Sequence, residues 1–167
     1  MKTTLVAGTV LTALCAALIA QQNPNLGYTD TPMQPDGKWH IHDPARPQPR
    51  VVTPGGAEAL MAPAPADATV LLGGGSDAGA WSMIGGAPVT WEMKAGVLSS
   101  GKGMLRTKAE FADVQLHVEF ATPSDVKGES QGRGNSGVYL MGAFEIQVLD
   151  SYQNPTYADG SAASMYG

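Results

Sequence analysis

GRGNSGVYLMGAFEIQVLD, residues 132–150, is the stretch whose reading decides the fold. Val138–Met141 and Phe144–Leu149 are two short apolar runs joined through Gly142-Ala143, the spacing of a tight β-hairpin. Within the second run, period two puts Glu145 and Gln147 on one face and Phe144, Ile146 and Val148 on the other. The apolar set is expected to pack inward, leaving a carboxylate and an amide side by side, about 7 Å apart, on the open face. Asp150 lies five residues beyond Glu145, so a regular strand aims it at the opposite face, and only a β-bulge would return it. Upstream, Gly132, Gly134 and Gly137 flank Arg133, Asn135 and Ser136. The glycines permit close backbone approach, while Arg and Asn are good partners for hydroxyls and oxyanions.

The same texture extends towards the N-terminus. Val114–Phe120 alternates cleanly, with Leu116, Val118 and Phe120 on one side and Gln115, His117 and Glu119 on the other, which predicts a half-buried strand. Further short strands are expected at Thr69–Leu72, Trp81–Ile84, Val89–Met93, Val97-Leu98 and Leu105–Thr107, with a single turn at Lys108–Asp113. Glycine numbers 21, proline 12, and charged residues make up only 15% of the chain. Few long helices fit such a composition, so the fold class is expected to be all-β, a sandwich or jelly roll built over residues 69–167.

Two segments precede that domain. Lys2 followed by the uncharged apolar run Leu5–Ala20 has the form of a secretory signal peptide, residues 1–20, and predicts a secreted or periplasmic protein with no membrane span after cleavage. Cys15, the only cysteine, falls inside it, so the mature chain would have neither a disulfide nor a thiol nucleophile. Residues 21–68 are rich in Pro, Gly and Gln and are expected to form an extended arm or linker. Trp39, Ile41, Val51 and Val52 are its possible docking points. His40, His42 and Asp43 have a metal-ligand spacing, but two histidines in a proline-rich arm form no site alone, and no metal ligand is assigned. Trp81 and Trp91 are expected in core packing rather than in sugar stacking.

The net charge is −5, with ten Lys and Arg dispersed along the chain. No basic stripe exists, which excludes nucleic acid as an expected partner. If the strands bearing His117 and Glu119 and bearing Glu145 and Gln147 share a sheet, the four side chains converge on one polar surface. An imidazole with two carboxylates is the equipment for proton transfer on a sugar. The plainer alternative is the solvated face of an antiparallel sheet.

Three stretches carry a resemblance: TKAEFADVQLHVEFATP from Thr107, GRGNSGVYLMGAFEIQVLDSY from Gly132 and NPTYADG from Asn154. They resemble the 3-keto-disaccharide hydrolase family, and HIHDPARPQPRVVTPG from His40 is similar to the leader of its exported members. The resemblance implies a concanavalin A-like jelly-roll fold. It departs at LLGGGSDAGAW from Leu71 and at Ser161. Members continue past a pair like Tyr166-Gly167, so the fold is expected to be truncated at its C-terminus.

The resemblance further implies a carbohydrate substrate, a disaccharide or glycoside oxidised at C3. A carbonyl there acidifies the C2 proton, and the glycosidic oxygen at C1 lies β to it, which suits elimination followed by hydration. On that footing the expected catalytic residues are His117, Glu119 and Glu145: His117 or Glu145 as base, Glu119 orienting or acting as acid. Arg133, Asn135, Gln147 and Asp150 are the expected substrate-binding residues, with Arg133 and Asn135 stabilising the enolate oxygen. No cofactor is evident, although a divalent metal could share that task. The alternative from another class is a non-catalytic carbohydrate-binding module on the same scaffold.

Overall fold

The computed structural model describes residues 26–52, 63–73 and 77–166. The expected signal segment, with Cys15, lies outside them. The described chain is all-β: seven antiparallel strands in three small sheets, with short 3₁₀ turns as its only helical elements.

β1 (Trp81–Met83) pairs with β4 (Leu105–Thr107), and β2 (Glu92–Lys94) pairs with β3 (Val97–Ser99). The β2–β3 hairpin turns on Ala95 and Gly96, at φ 50° and 76°. Positive φ at both central residues gives the twist that two-residue hairpins favour. The strand expected at Val89–Met93 is thereby shifted towards the C-terminus, since it must end at this turn. Thr69–Leu72 forms no strand, and Lys108–Asp113 no helical turn.

The third sheet has the order β5 (Asn135–Leu140), β6 (Phe144–Leu149), β7 (Met165–Tyr166). β6 has the expected bounds. β5 begins three residues earlier than Val138, and the connection is the three-residue turn Met141–Ala143, with Met141 at φ 54° and Gly142 at φ 67°. The β5–β6 register is unbroken from Asn135↔Leu149 to Leu140↔Phe144.

Two expectations about burial are corrected. Val114–Phe120 joins no sheet, and its apolar residues Leu116, Val118 and Phe120 are 48%, 48% and 52% exposed. Alternation reports that a segment can lie half-buried; it does not supply the neighbouring strand whose N–H and C=O groups would complete the ladder. In β6 the covered face is the one carrying Glu145, Gln147 and Leu149, while Phe144 on the other face is exposed.

The cover over that face is the segment Thr156–Gly160, buried throughout, together with Tyr166 opposite Glu145. Polar groups tolerate this burial where they find partners, and the cover supplies many. The arm closes the same region. Tyr28 N–H donates to the His42 carbonyl at 3.0 Å, and the His42 N–H donates to Asp159 Oδ2 at 3.0 Å. The arm therefore docks on Asp159 through Gln34, His42 and Arg46, while Val51 stays 95% exposed.

Candidate active site

Gln131 is the hub that joins two of the expected binding residues, Asn135 and Gln147. It sits in the 3₁₀ turn Ser130–Gly132. Its Nε2 donates to Thr156 Oγ1 at 2.8 Å and to the Gly160 carbonyl at 3.0 Å, and its Oε1 accepts from Gln147 Nε2 at 2.9 Å. Asn135 Nδ2 donates to the Gln131 carbonyl at 2.9 Å. Gln147 is only 2% exposed, so its amide joins the turn to β6 rather than standing on an open face.

Ser130 holds φ 48°, a strained value for a residue with a side chain. Asn154 fixes it. The Ser130 N–H donates to Asn154 Oδ1 at 2.7 Å, and Asn154 Nδ2 donates to the Ser130 carbonyl at 3.0 Å and to the Asp150 carbonyl at 2.7 Å. One amide thus ties the turn to the end of β6.

Arg133 and Asp150 meet as expected binding residues. Arg133 Nε donates to Asp150 Oδ2 at 2.8 Å, with both side chains largely buried. The Asp150 N–H reaches the Gly134 carbonyl at 3.1 Å and continues the register without a bulge, so Asp150 lies on the face opposite Glu145 and Gln147. The pair lines a cleft of about 400 Å³ with Pro123, Asp125, Lys127 and Gly134, a volume suited to a small sugar. Arg133→Lys loses the Nε–carboxylate bond and is expected to cost about 1.5 kcal/mol, read from the urea midpoint.

Glu145 lies at the far end of β6, about 17 Å along the strand from Asp150. Its register partners are Tyr139 on β5 and Tyr166 on β7. The Tyr139 hydroxyl donates to Glu145 Oε2 at 2.7 Å, and that bond raises the Tyr139 pKa above its ordinary 10.0. A Cβ at Gly137 would overlap Glu145 Oε1, so the missing side chain is what makes room for the carboxylate.

His117 and Glu119 stand elsewhere. His117 Nε2 is 3.1 Å from Glu119 Oε1, with side chains 83% and 47% exposed on a segment outside every sheet. The structure does not bring them together with Glu145 and Gln147, and among the described residues the expected four-residue surface does not form because its first strand is unpaired.

The reading of sequence missed Gln131, Asn154 and the buried group around Asp159. Asp159 Oδ2 accepts from Gln34 Nε2 at 3.2 Å, and Arg46 Nη1 lies 3.4 Å away. His42 packs on Tyr157 and Tyr166, with ring centroids 4.3 and 4.8 Å apart. His40 instead turns its Nδ1 to the Thr31 carbonyl, so the two histidines do not share a ligand set. Among the described residues no three His, Cys, Asp or Glu side chains cluster as a metal site.

Burial, then the hydrogen bonds with Tyr166 and Tyr28, raise the Tyr157 pKa well above 10.0. A raised pKa means that the folded state keeps a proton the unfolded state loses. This contribution to stability is complete below pH 10 and declines as pH rises further. Denaturation midpoints above pH 10 should fall less steeply in Tyr157→Phe than in the parent.

Comparison with known proteins gives the family. Residues 67–167 match the family described as the 3-keto-alpha-glucoside-1,2-lyase-like domain. No curated protein matches the chain. The crystal structure of a candidate glycosyl hydrolase from Parabacteroides distasonis is similar, with 40% identity and a TM-score of 0.61. The similarity covers 81% of this chain and spans 59% of that one. Two of the stretches that carried the resemblance in sequence, from Gly132 and from Asn154, hold the Tyr139–Glu145 and Arg133–Asp150 pairs and the buried segment Thr156–Gly160, and the chain belongs to the 3-keto-alpha-glucoside-1,2-lyase-like family.

Proposed function

We propose that this chain forms part of an exported enzyme that cleaves glycosides oxidised at C3, with Glu145 as its base. The observation that carries the reading is the Tyr139–Glu145 pair: a half-buried carboxylate with one oxygen held by a phenol and the other over the space left open by Gly137. The lyase-like family and the candidate glycosyl hydrolase of similar structure support the same class of substrate.

The C3 carbonyl makes the C2 proton acidic. Glu145 takes that proton, the C2 electron pair forms the enolate, and collapse of the enolate breaks the C1–O bond. The proton held on Glu145 passes to the departing oxygen, leaving an unsaturated keto sugar and a free alcohol. Addition of water across that double bond completes net hydrolysis. Such positioned proton transfer contributes about 10²–10⁴ in rate. Glu145 is preferred to His117 as base because the His117 side chain is 83% exposed and its partner, Glu119, stands on the same unpaired segment.

Release of free alcohol from a 3-keto-α-glucoside, followed by chromatography, tests the proposal; a folded protein that binds this substrate and leaves it intact refutes it. That outcome would favour the carbohydrate-binding module. One observation speaks for the module: Trp81 lines a second cleft of about 440 Å³ beside β1, where an indole could stack on a sugar ring. The export segment belongs to the proposal, and N-terminal sequencing of protein recovered outside the cytoplasm tests it.

A further inference from the structure

We propose that His42, in the N-terminal arm, is a positioning residue for the Glu145–Tyr139 pair, acting through Tyr166. This deepens the proposed function and rests on it for the role of Glu145. The geometry itself stands apart from that reading.

β7 contains only Met165 and Tyr166, with two register pairs to β6. So short a strand gains little from its own ladder, and an isolated pairing of this size is marginal. Backbone bonds between Gln147 and residues 163 and 164 extend the attachment to β6, and the Tyr166 side chain is held from elsewhere. Its hydroxyl lies 2.7 Å from the Tyr157 hydroxyl, and its ring packs on His42 at 4.8 Å. Tyr157 in turn packs on His42 at 4.3 Å, and Tyr28 meets the His42 ring edge-on at 5.7 Å. Aromatic contacts of this kind contribute beyond the area they bury.

His42 is itself constrained. It has φ 60°, a conformation that is costly for a residue with a side chain. The Asp159 carboxylate holds its N–H, and Gly27 lies against its carbonyl so closely that a Cβ there would overlap it. Its Nδ1 stands 3.5 Å from Asp159 Oδ1, and both atoms are buried without a hydrogen-bond partner. Strain and unpaired buried polar atoms at one place need an explanation beyond simple packing. Holding Tyr166 beside Glu145 on the neighbouring strand supplies one. The arm then belongs to the active unit and is no mere linker.

The test uses the full chain. Tyrosine ring carbons are followed by NMR against pH in the parent, in His42→Ala, in His42→Phe and in Gly27→Ala. In the parent, Tyr139 titrates above the ordinary tyrosine range because Glu145 holds its proton. His42→Ala is expected to bring Tyr139 back towards 10.0. His42→Phe, which keeps a flat ring against Tyr157 and Tyr166, is expected to preserve most of the shift. Gly27→Ala displaces His42 through its carbonyl while leaving every ring of the cluster chemically unchanged, and should act in the same direction as His42→Ala.

With the 3-keto substrate, kcat should fall about tenfold in His42→Ala while KM changes less than about twofold, the signature of a group acting on the chemical step. Exposed Val51→Ser serves as the unchanged control. Parent-like Tyr139 titration in both His42→Ala and Gly27→Ala overturns the proposal. Should His42→Ala fail to fold, Gly27→Ala alone decides. Absence of turnover in the parent would count against the proposed function, while the tyrosine titration would still decide the coupling.

Discussion

Glu145→Gln should lower kcat about a thousandfold with little change in the amount of folded protein. Glutamine has nearly the same shape and can still accept the Tyr139 hydroxyl bond, which is 2.7 Å long in the parent. What it cannot do is take a proton from C2. The loss should therefore fall on the chemical step and leave KM largely unmoved. His117→Ala should keep turnover within about threefold of the parent, since an imidazole 83% exposed on an unpaired segment has no fixed relation to β6. Steady-state rates of alcohol release from the keto substrate check both. Parent-like turnover in Glu145→Gln would remove that residue from the mechanism.

Asn154→Ala should destabilise the chain by about 4 kcal/mol, because it strands a part-buried N–H and takes the donor from two carbonyls at once. The Ser130 N–H, the Ser130 carbonyl and the Asp150 carbonyl all lose their bonds to the same amide. Ser130 at φ 48° then has less to hold it, and the turn carrying Gln131 can relax. Asn154→Asp is the informative companion. It keeps an acceptor for the Ser130 N–H but can no longer donate to either carbonyl, so an intermediate loss of about 2 kcal/mol is expected. Urea unfolding at neutral pH measures both; equal losses would mean that the two donated bonds contribute nothing.

Sequence periodicity located the elements whose partners lie close by in the chain. β4 and β6 have their expected bounds, and β1 differs by one residue, because short apolar runs between glycine turns have few other options. The phase of β6 was also legible, and it separates Asp150 from Glu145 by face. Periodicity says nothing about which face a later segment will cover. Alternation reads Glu145 and Gln147 as solvated, whereas Gln147 is buried and Glu145 is half-buried beside Tyr166 of β7. Gln131 and Asn154 escaped notice for a related reason. They lie in turn-like sequence with no alternation, and their importance comes from partners 16 to 29 residues away. Val114–Phe120 shows the converse, a strong alternating pattern without a ladder to join.

The buried set has an unusual chemistry for a domain interior. Only Leu149, Tyr157 and Ala158 are fully buried apolar residues among those described, against eight polar or charged ones that include Gln147, Asn154, Thr156 and Asp159. Exposing apolar surface raises heat capacity on unfolding, and exposing polar surface lowers it. Calorimetry of this chain should therefore give an increment below the usual ~12–15 cal/mol/K per residue. The stability curve would be correspondingly flat, with cooling eroding the fold less than it erodes a domain built around leucine and valine.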